Sequence, residues 1–259
     1  MSGPTAAQVA TFLDERLATS AFPDYPPALN GLQLDHRGPV RKVVAAVDYS
    51  RRTVDAAIAA GGNLLLLHHG MFWGGNQRLV EHAYARLRDL VTHDIAVYSS
   101  HLPLDAHQEL GNCAQLASRL GLTVSGRFGQ YQGVAIGVMG DADLPVDELM
   151  TRAQAFASSY GGDARASHEV IGQHCRRWAI LTGAGADSAT LREARDRGID
   201  TLIVGEGPHH TTVDAAEYGV TVIYAGHYAT ETLGVQALLR LVEAQFAVPT
   251  EFLRLPTGS

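Results

Sequence analysis

Residues 64–75 have the sequence LLLLHHGMFWGG, in which four leucines run directly into His68 and His69. A short apolar run with a glycine pair before it and Gly70 after it is typical of a strand buried on both faces of a sheet. The C-terminal ends of such strands form the ligand-binding edge of open α/β sheets. Because neighbouring strand residues point to opposite faces, both imidazoles can serve one site only if the chain turns there, which Gly70 permits.

Apolar runs alternate with amphipathic segments along the rest of the chain. Strands are predicted at 42–48, 95–100, 129–143, 178–182, 220–225 and within 200–210. The main helices are predicted at 5–19, 79–92, 109–120, 145–160, 211–218 and 229–246. This alternation predicts an α/β fold with a largely parallel sheet. The composition changes near Ser125-Gly126, where small residues begin to alternate with strand formers.

The composition excludes several classes of protein. The chain has 259 residues, 46% of them hydrophobic, which is enough for one large domain or two smaller ones. No apolar run approaches the roughly 20 residues that span a bilayer, and no signal-peptide pattern is present, so we expect a cytoplasmic protein with no membrane partner. A net charge of −7 without a Lys/Arg cluster argues against nucleic-acid binding. Two distant cysteines, Cys113 and Cys175, exclude a disulfide framework and a CxxC metal site.

Two further predicted strands end in pairs of potential metal ligands. SSHLPLDAH places His101 and Asp105 after the strand 95–100, and AGHYATET places His227 and Glu231 after the strand 220–225. His227 and Glu231 are four residues apart, so they share one face if a helix begins there. A helix cap or a turn would explain either carboxylate alone. Three strands that all end in such pairs favour a metal site.

The chemistry of this residue set restricts the metal. Imidazoles and carboxylates suit Zn, Fe, Mn, Co or Ni and exclude a thiolate-type site. The set has more members than one tetrahedral ion needs, and it fits better a pair of ions bridged by a carboxylate and a water. Asp105 or Glu231 is the natural bridge, since a carboxylate has two oxygens to share.

Four motifs together resemble a known family. LLLLHHGMFWGG, SSHLPLDAH, VGEGPHHTTVDAAEYG and AGHYATE resemble the motifs of the dinuclear-metal-centre hexameric proteins, the YbgI-type family also labelled type 2 GTP cyclohydrolase I homologues. NGLQL at 30–34 resembles that family's N-terminal signature. The motifs occur in the family's order from residue 30 to residue 231, so the resemblance covers essentially the whole chain.

The resemblance implies two three-layer α/β domains, the first of them discontinuous. Residues 1–126 and 220–259 would form the first domain, which carries most of the metal ligands, and residues 127–219 the second. The 106–205 stretch leaves no room for the inserted middle domain of longer members, so this is the short form. The resemblance also implies a toroidal homo-hexamer, built as a trimer of dimers.

The resemblance further implies two divalent metal ions per chain, of unspecified identity. The implied metal ligands are His68, His69, Asp105, His227 and Glu231. His101 matches a motif histidine that lies at or beside the metals. The family label implies a metal-dependent hydrolase that uses a metal-activated water on a small-molecule substrate, such as GTP, another nucleotide or a phosphoester.

The implied catalytic residues are His101, His209 and His210, which would carry protons. Hydrogen bonding to the metal ligands is an equally supported role for the His209-His210 pair. A non-catalytic metal-binding or regulatory ring assembly is the alternative function. An open coordination position would favour catalysis, and saturation by protein ligands would favour the alternative.

Three other features have simple structural explanations. Phe72 and Trp73 are expected to pack in the interior or to line a pocket, and Asn30 is expected to fix a turn. The sequence GAG at 183–185 resembles a phosphate-binding loop. It lacks the rest of a dinucleotide fingerprint and any Walker lysine, so it carries little weight.

Overall fold

Strands and helices alternate as the sequence predicts, in a computed structural model that describes residues 3–258. The strands are β1 Gly31–Leu34, β2 Val43–Asp48, β3 Leu64–His69, β4 Ala96–Ser99, β5 Gly126–Tyr131, β6 Val134–Pro145, β7 Arg165–Ala166, β8 His174–Leu181, β9 Thr201–Val204, β10 Thr221–Tyr224 and β11 Thr250–Phe252. The helices are α1 Ala6–Leu17, α2 Arg51–Ala59, α3 Glu81–Thr92, α4 Leu102–Asp105, α5 Asn112–Arg119, α6 Val146–Ser159, α7 Ser188–Asp196, α8 His210–Tyr218 and α9 His227–Phe246. The sequence did not reveal β1, β7, β11 and α4, because each has two to four residues and none forms a continuous apolar run.

The chain divides into two compact units. Unit 1 comprises Met1–Leu104 and Gly234–Leu255, and unit 2 comprises Asp105–Leu233 and Pro256–Ser259. The first is therefore discontinuous, but this division differs from the predicted domain ends at residues 126 and 220. Helix α5 belongs to unit 2 because it packs on β6 and β8, and β10 belongs there because it pairs with β9.

Unit 1 contains a five-stranded sheet in the order β1-β4-β3-β2-β11. All its pairings are parallel except that of β1 with β4, which confirms the predicted parallel sheet. Leu65, Leu67 and Val97 face the apolar cluster beneath α2 and α3. Tyr98 lies on the opposite face, where its hydroxyl donates to Asp14 of α1 over 2.9 Å. Helices therefore cover both faces of this sheet, and its central strand is β3.

Unit 2 contains a six-stranded sheet in the order β5-β6-β8-β9-β10-β7. Only β8, β9 and β10 are parallel to one another, so the prediction of a largely parallel sheet is wrong here. The reason is the β5–β6 hairpin, whose antiparallel pairing extends to β8. Trp178 and Ile180 face a cluster with α5 and α6, and alternate strand residues face a cluster with α7 and α8. Within the described part of the chain, none of the helices has the length and apolar character that a membrane span requires.

Candidate metal centre

Strand β3 carries two adjacent histidines at its C-terminal end. It pairs with β2 on one side and β4 on the other, and all six of its side chains are buried. His68 is fully buried and His69 is 8% exposed. Their ring centroids are 4.8 Å apart although the strand includes both residues. The end of a central buried strand thus holds two imidazoles next to each other.

Each of three imidazoles in unit 1 is held through its Nδ1 atom. His68 Nδ1 lies 2.9 Å from the carbonyl oxygen of Ser100. His69 Nδ1 lies 2.8 Å from Asp48, and His101 Nδ1 lies 2.9 Å from Asp24. A carbonyl or carboxylate oxygen only accepts, so Nδ1 carries the proton and Nε2 the lone pair. In metal sites, a hydrogen bond of this kind at one ring nitrogen orients the other nitrogen toward the metal.

These three imidazoles form one group. Nitrogen atoms of His68, His69 and His101 all lie within 4.8 Å of one another, and all three side chains are buried. Such a cluster could hold a metal ion, because imidazole is the commonest metal ligand of proteins and each Nδ1 hydrogen bond leaves Nε2 of its ring open to an ion. The grouping includes His101, which the family resemblance placed at or beside the metals.

Asp24 and Asn30 form a layer behind His101. The Asn30 amide oxygen accepts from the backbone N–H of His101 over 2.7 Å, and its Nδ2 donates to Asp24 over 2.8 Å. Asp24 also accepts from the backbone N–H of Leu102. Asn30 thus does more than fix a turn, which was the expectation from sequence. No local pattern marks Asp24, so sequence reasoning missed it.

Trp73 covers two of the imidazoles. Its ring centroid lies 4.8 Å from that of His69 and 4.4 Å from that of His101. The side chain remains 39% exposed. Trp73 therefore forms a wall of the cluster of His68, His69 and His101. This is one of the two roles that the sequence left open.

Gly70 leaves space for the Gln33 side chain, and its backbone is not left-handed. The following residue, Met71, donates its N–H to the Gln33 amide oxygen over 2.7 Å, and Gln33 in turn donates to the Leu29 carbonyl. A Cβ atom at Gly70 would overlap the Gln33 amide. Gln33 belongs to the NGLQL segment, and through these hydrogen bonds that segment supports the end of β3.

A second group of ligand-type residues lies in unit 2. His227 begins α9 and Glu231 follows one turn later, with His227 Nε2 3.1 Å from the Glu231 carboxylate. This confirms the predicted shared helix face. His227 Nδ1 lies 2.8 Å from Glu206. Burial disfavours the charged ring, but the hydrogen bonds and charges of Glu231 and then Glu206 outweigh it and raise the pKa of His227 to about 9.

Asp105 is the third member of unit 2 that the sequence predicted. It is 7% exposed and accepts from Asn112 over 2.8 Å and from the Thr182 hydroxyl over 3.3 Å. Thr182 and Gly183 directly follow β8, and Gly183 lies against Glu231. The loop after β8 therefore contacts both carboxylates.

The GAG sequence at 183–185 is part of this support. Gly183 donates its N–H to the Thr230 hydroxyl over 3.1 Å, and its carbonyl accepts from the N–H of Glu206 over 2.8 Å. These backbone groups are used within the protein, so the loop positions Glu231 and Glu206. Its similarity to a phosphate-binding loop is only local.

His209 and His210 lie at the start of α8, and both are exposed. Among residues 3–258, neither side chain makes a hydrogen bond, and Glu206 is the residue that holds His227. Their assignment as proton carriers stays a prediction. Glu206, within the motif that the sequence singled out, is the supporting residue that sequence reasoning missed.

Comparison with known proteins supports the resemblance found in the sequence. The family described as Duf34/NIF3 (NGG1p interacting factor 3) matches residues 4–257. Proteins named GTP cyclohydrolase 1 type 2 homolog from Deinococcus radiodurans and Pyrococcus abyssi are each 39% identical to this chain, covering 97% of it and 93% and 98% of their own lengths.

Solved structures agree with this assignment. A protein titled ybgI superimposes with a TM-score of 0.88 at 32% identity, covering 98% of this chain and 100% of that one. TTHA1606 from Thermus thermophilus gives a TM-score of 0.83 at 33% identity, with the same coverage. Both the sequence and the fold of this chain are thus similar to those of proteins in one family.

Proposed function

The chain belongs to the Duf34/NIF3 family, and on that premise we propose that it binds two divalent metal ions and hydrolyses a small-molecule substrate. The substrate would be GTP, another nucleotide or a phosphoester. The observation that carries the proposal is the hydrogen-bond acceptor at Nδ1 of His68 and of His69, which leaves the Nε2 lone pair of each ring available to a metal ion.

The residues fit divalent ions of the Zn, Fe, Mn, Co or Ni type. Every candidate ligand atom is an imidazole nitrogen or a carboxylate oxygen. The proposed ligands are those of the resemblance: His68, His69, Asp105, His227 and Glu231. Asp105 and Glu231 are buried carboxylates, and burying such a charge is costly unless a cation or hydrogen bonds compensate it.

The ions would supply Lewis-acid polarisation of a substrate oxygen and an activated water. We assign proton transfer to His101. The buried Asp24 carboxylate fixes its Nδ1–H tautomer and would stabilise the imidazolium that forms when Nε2 takes a proton. Trp73 packs against His69 and His101 and so restricts the access of bulk water to their rings.

Metal content is the first test. Protein purified without chelator or histidine tag should contain two equivalents of metal per chain by elemental analysis. The metal found would then be used in a hydrolysis screen of GTP, other nucleotides and phosphoesters. Sub-stoichiometric metal that added divalent ions cannot restore would contradict the proposal.

Two substitutions separate ligands from the proton carrier. His68→Ala should lose metal and activity together. His101→Gln should keep the metal and lose activity. Activity that survives complete loss of metal would show that the hydrolase mechanism is wrong. Metal saturated by protein ligands, with no substrate turned over, would favour the non-catalytic ring assembly instead.

We also propose the homo-hexamer that the family resemblance implies, a toroidal trimer of dimers. Light scattering coupled to size-exclusion chromatography should give six times the chain mass of 27.7 kDa. A monomeric or dimeric mass across the working concentration range would contradict this assembly without affecting the metal proposal.

A further inference from the structure

Unit 1 contains a cavity of about 250 Å³ beside the end of β3. It lies between the segment that follows β3 and helix α3. Its lining includes Tyr49, Met71, Phe72, Leu79, Arg86 and Leu87. We call this cavity the Arg86 pocket. Its walls are mainly apolar, and its size suits a small organic molecule with one ring.

Arg86 lines this pocket without an acidic partner. Its guanidinium lies over the Tyr49 ring, 5.0 Å from the ring centroid. Its Nε atom is buried and has no hydrogen-bond partner among residues 3–258. No carboxylate oxygen in that part of the chain lies within 4.0 Å of the Arg86 guanidinium nitrogens, the distance that defines an ion pair. By contrast, Arg88 on the same helix pairs with Asp89 over 2.8 Å.

Tyr49 does not compensate the charge of Arg86. Burial raises the pKa of Tyr49, against the opposing hydrogen bond and charge of Arg86. The phenol is therefore neutral near pH 7. An anion in the cavity would stabilise the half-buried guanidinium of Arg86, because a buried charge is costly without a counter-charge. Guanidinium binds carboxylate and phosphate oxygens through paired N–H donors.

We propose that the Arg86 pocket binds a small organic anion, with a carboxylate or phosphate group on Arg86 and an apolar ring against Phe72 and Leu79. Tyr49, on the pocket wall, donates its N–H to the His69 carbonyl over 3.0 Å. Phe72, also on the wall, directly precedes Trp73 in the chain. The pocket thus adjoins the cluster of His68, His69 and His101. Binding of an anion there goes beyond the proposed hydrolase function and does not depend on it.

Three fluorinated probes test the proposal by ¹⁹F NMR titration. They are 4-fluorobenzoate, 4-fluorophenyl phosphate and the neutral 4-fluorobenzyl alcohol. At least one of the two anions should bind about tenfold or more tightly than the alcohol, because only an anion forms charge-assisted hydrogen bonds with Arg86. The tighter anion identifies the head group. Equal affinity for the alcohol and both anions would overturn the proposal.

Two substitutions of Arg86 and a matched control at Arg88 locate the binding. Arg86→Met should reduce the affinity of the anion to that of the alcohol, and Arg86→Lys should keep part of it. Arg88→Met removes an exposed charge from the same helix and should change nothing. An Arg86→Met protein that binds the anion like the wild type would overturn the proposal. If Arg86→Met does not fold, the comparison of anion and alcohol on the wild type decides.

Metal-free and metal-loaded proteins should bind the anion equally. Loss of anion binding together with the metal would place the anion on the metal, and would overturn the Arg86 assignment while leaving the metal proposal intact. If no probe binds and Arg86→Met lowers the oligomer mass, a second copy of the chain covers the pocket, which also overturns the proposal.

Discussion

Gly183 lies directly against the carboxylate of Glu231. A Cβ atom at Gly183 would overlap Oε1 of Glu231, and the backbone of Gly183 is left-handed, with a φ of +62°. Glycine is therefore favoured here for two independent reasons. Because Gly183 also donates to the Thr230 hydroxyl over 3.1 Å, this loop fixes both the position of Glu231 and the start of α9.

Gly183→Ala should displace Glu231 and lower metal content as well as stability. The left-handed backbone alone costs a non-glycine residue about 1–2 kcal/mol, and the overlap with Glu231 adds to this. Gly198→Ala is the matched control, because Gly198 has a φ of +66° and nothing within 4 Å of its Cβ position. Thermal unfolding and elemental analysis of both variants measure the difference. Equal effects of the two substitutions would show that the Glu231 contact is unimportant.

Asp48→Ala should weaken metal binding about 10–100-fold, the usual effect of losing a carboxylate that orients a histidine ligand. Asp48 holds Nδ1 of His69 over 2.8 Å. Competition with a chromophoric chelator measures the affinity. Asp55→Ala is the control, because Asp55 lies on α2 and pairs with Arg51 instead of a histidine. The same affinity in both variants would contradict the orienting role.

Trp73→Phe should abolish a fluorescence response to metal. The chain has two tryptophans, Trp73 and Trp178, and the ring of Trp73 lies 4.8 Å and 4.4 Å from two imidazoles of the candidate centre. Co²⁺ added to metal-free protein should therefore quench tryptophan emission, and this quenching should disappear in the variant. Quenching that persists in Trp73→Phe would mean that the ion binds elsewhere.

Both cysteines should resist alkylation in the native protein. Burial, and then the charge of Asp105, raise the pKa of Cys113 to about 12, and burial raises the pKa of Cys175 to about 11. A raised thiol pKa leaves the unreactive thiol form, so near pH 8 Cys113 would hold about a thousandfold less thiolate than at its ordinary pKa of 9.0. Iodoacetamide labelling followed by mass spectrometry measures this. Urea-unfolded protein should label fully, and rapid labelling of the native chain would contradict the burial.

The fold could be predicted wherever local patterns repeat. Strand β3 could be predicted because a short apolar run with glycines nearby on both sides is typical of a buried strand, and α9 because its residues follow a helical pattern over several turns. The antiparallel half of the unit 2 sheet could not be predicted, because the partner of β6 is chosen by long-range pairing with β8. The unit boundaries depend on the same pairings, which is why β10 falls in unit 2.

The sequence by itself determined the α/β alternation, the family and the residues at the strand ends, because hydrophobic periodicity and motif spacing are local properties of the chain. The tertiary structure decided which groups support those residues. Asp24 holds His101 across 77 residues, and Gly183 makes room for Glu231. The Arg86 pocket likewise joins α3 to the segment after β3. Contacts of this kind depend on how distant segments pack, and no local pattern records them.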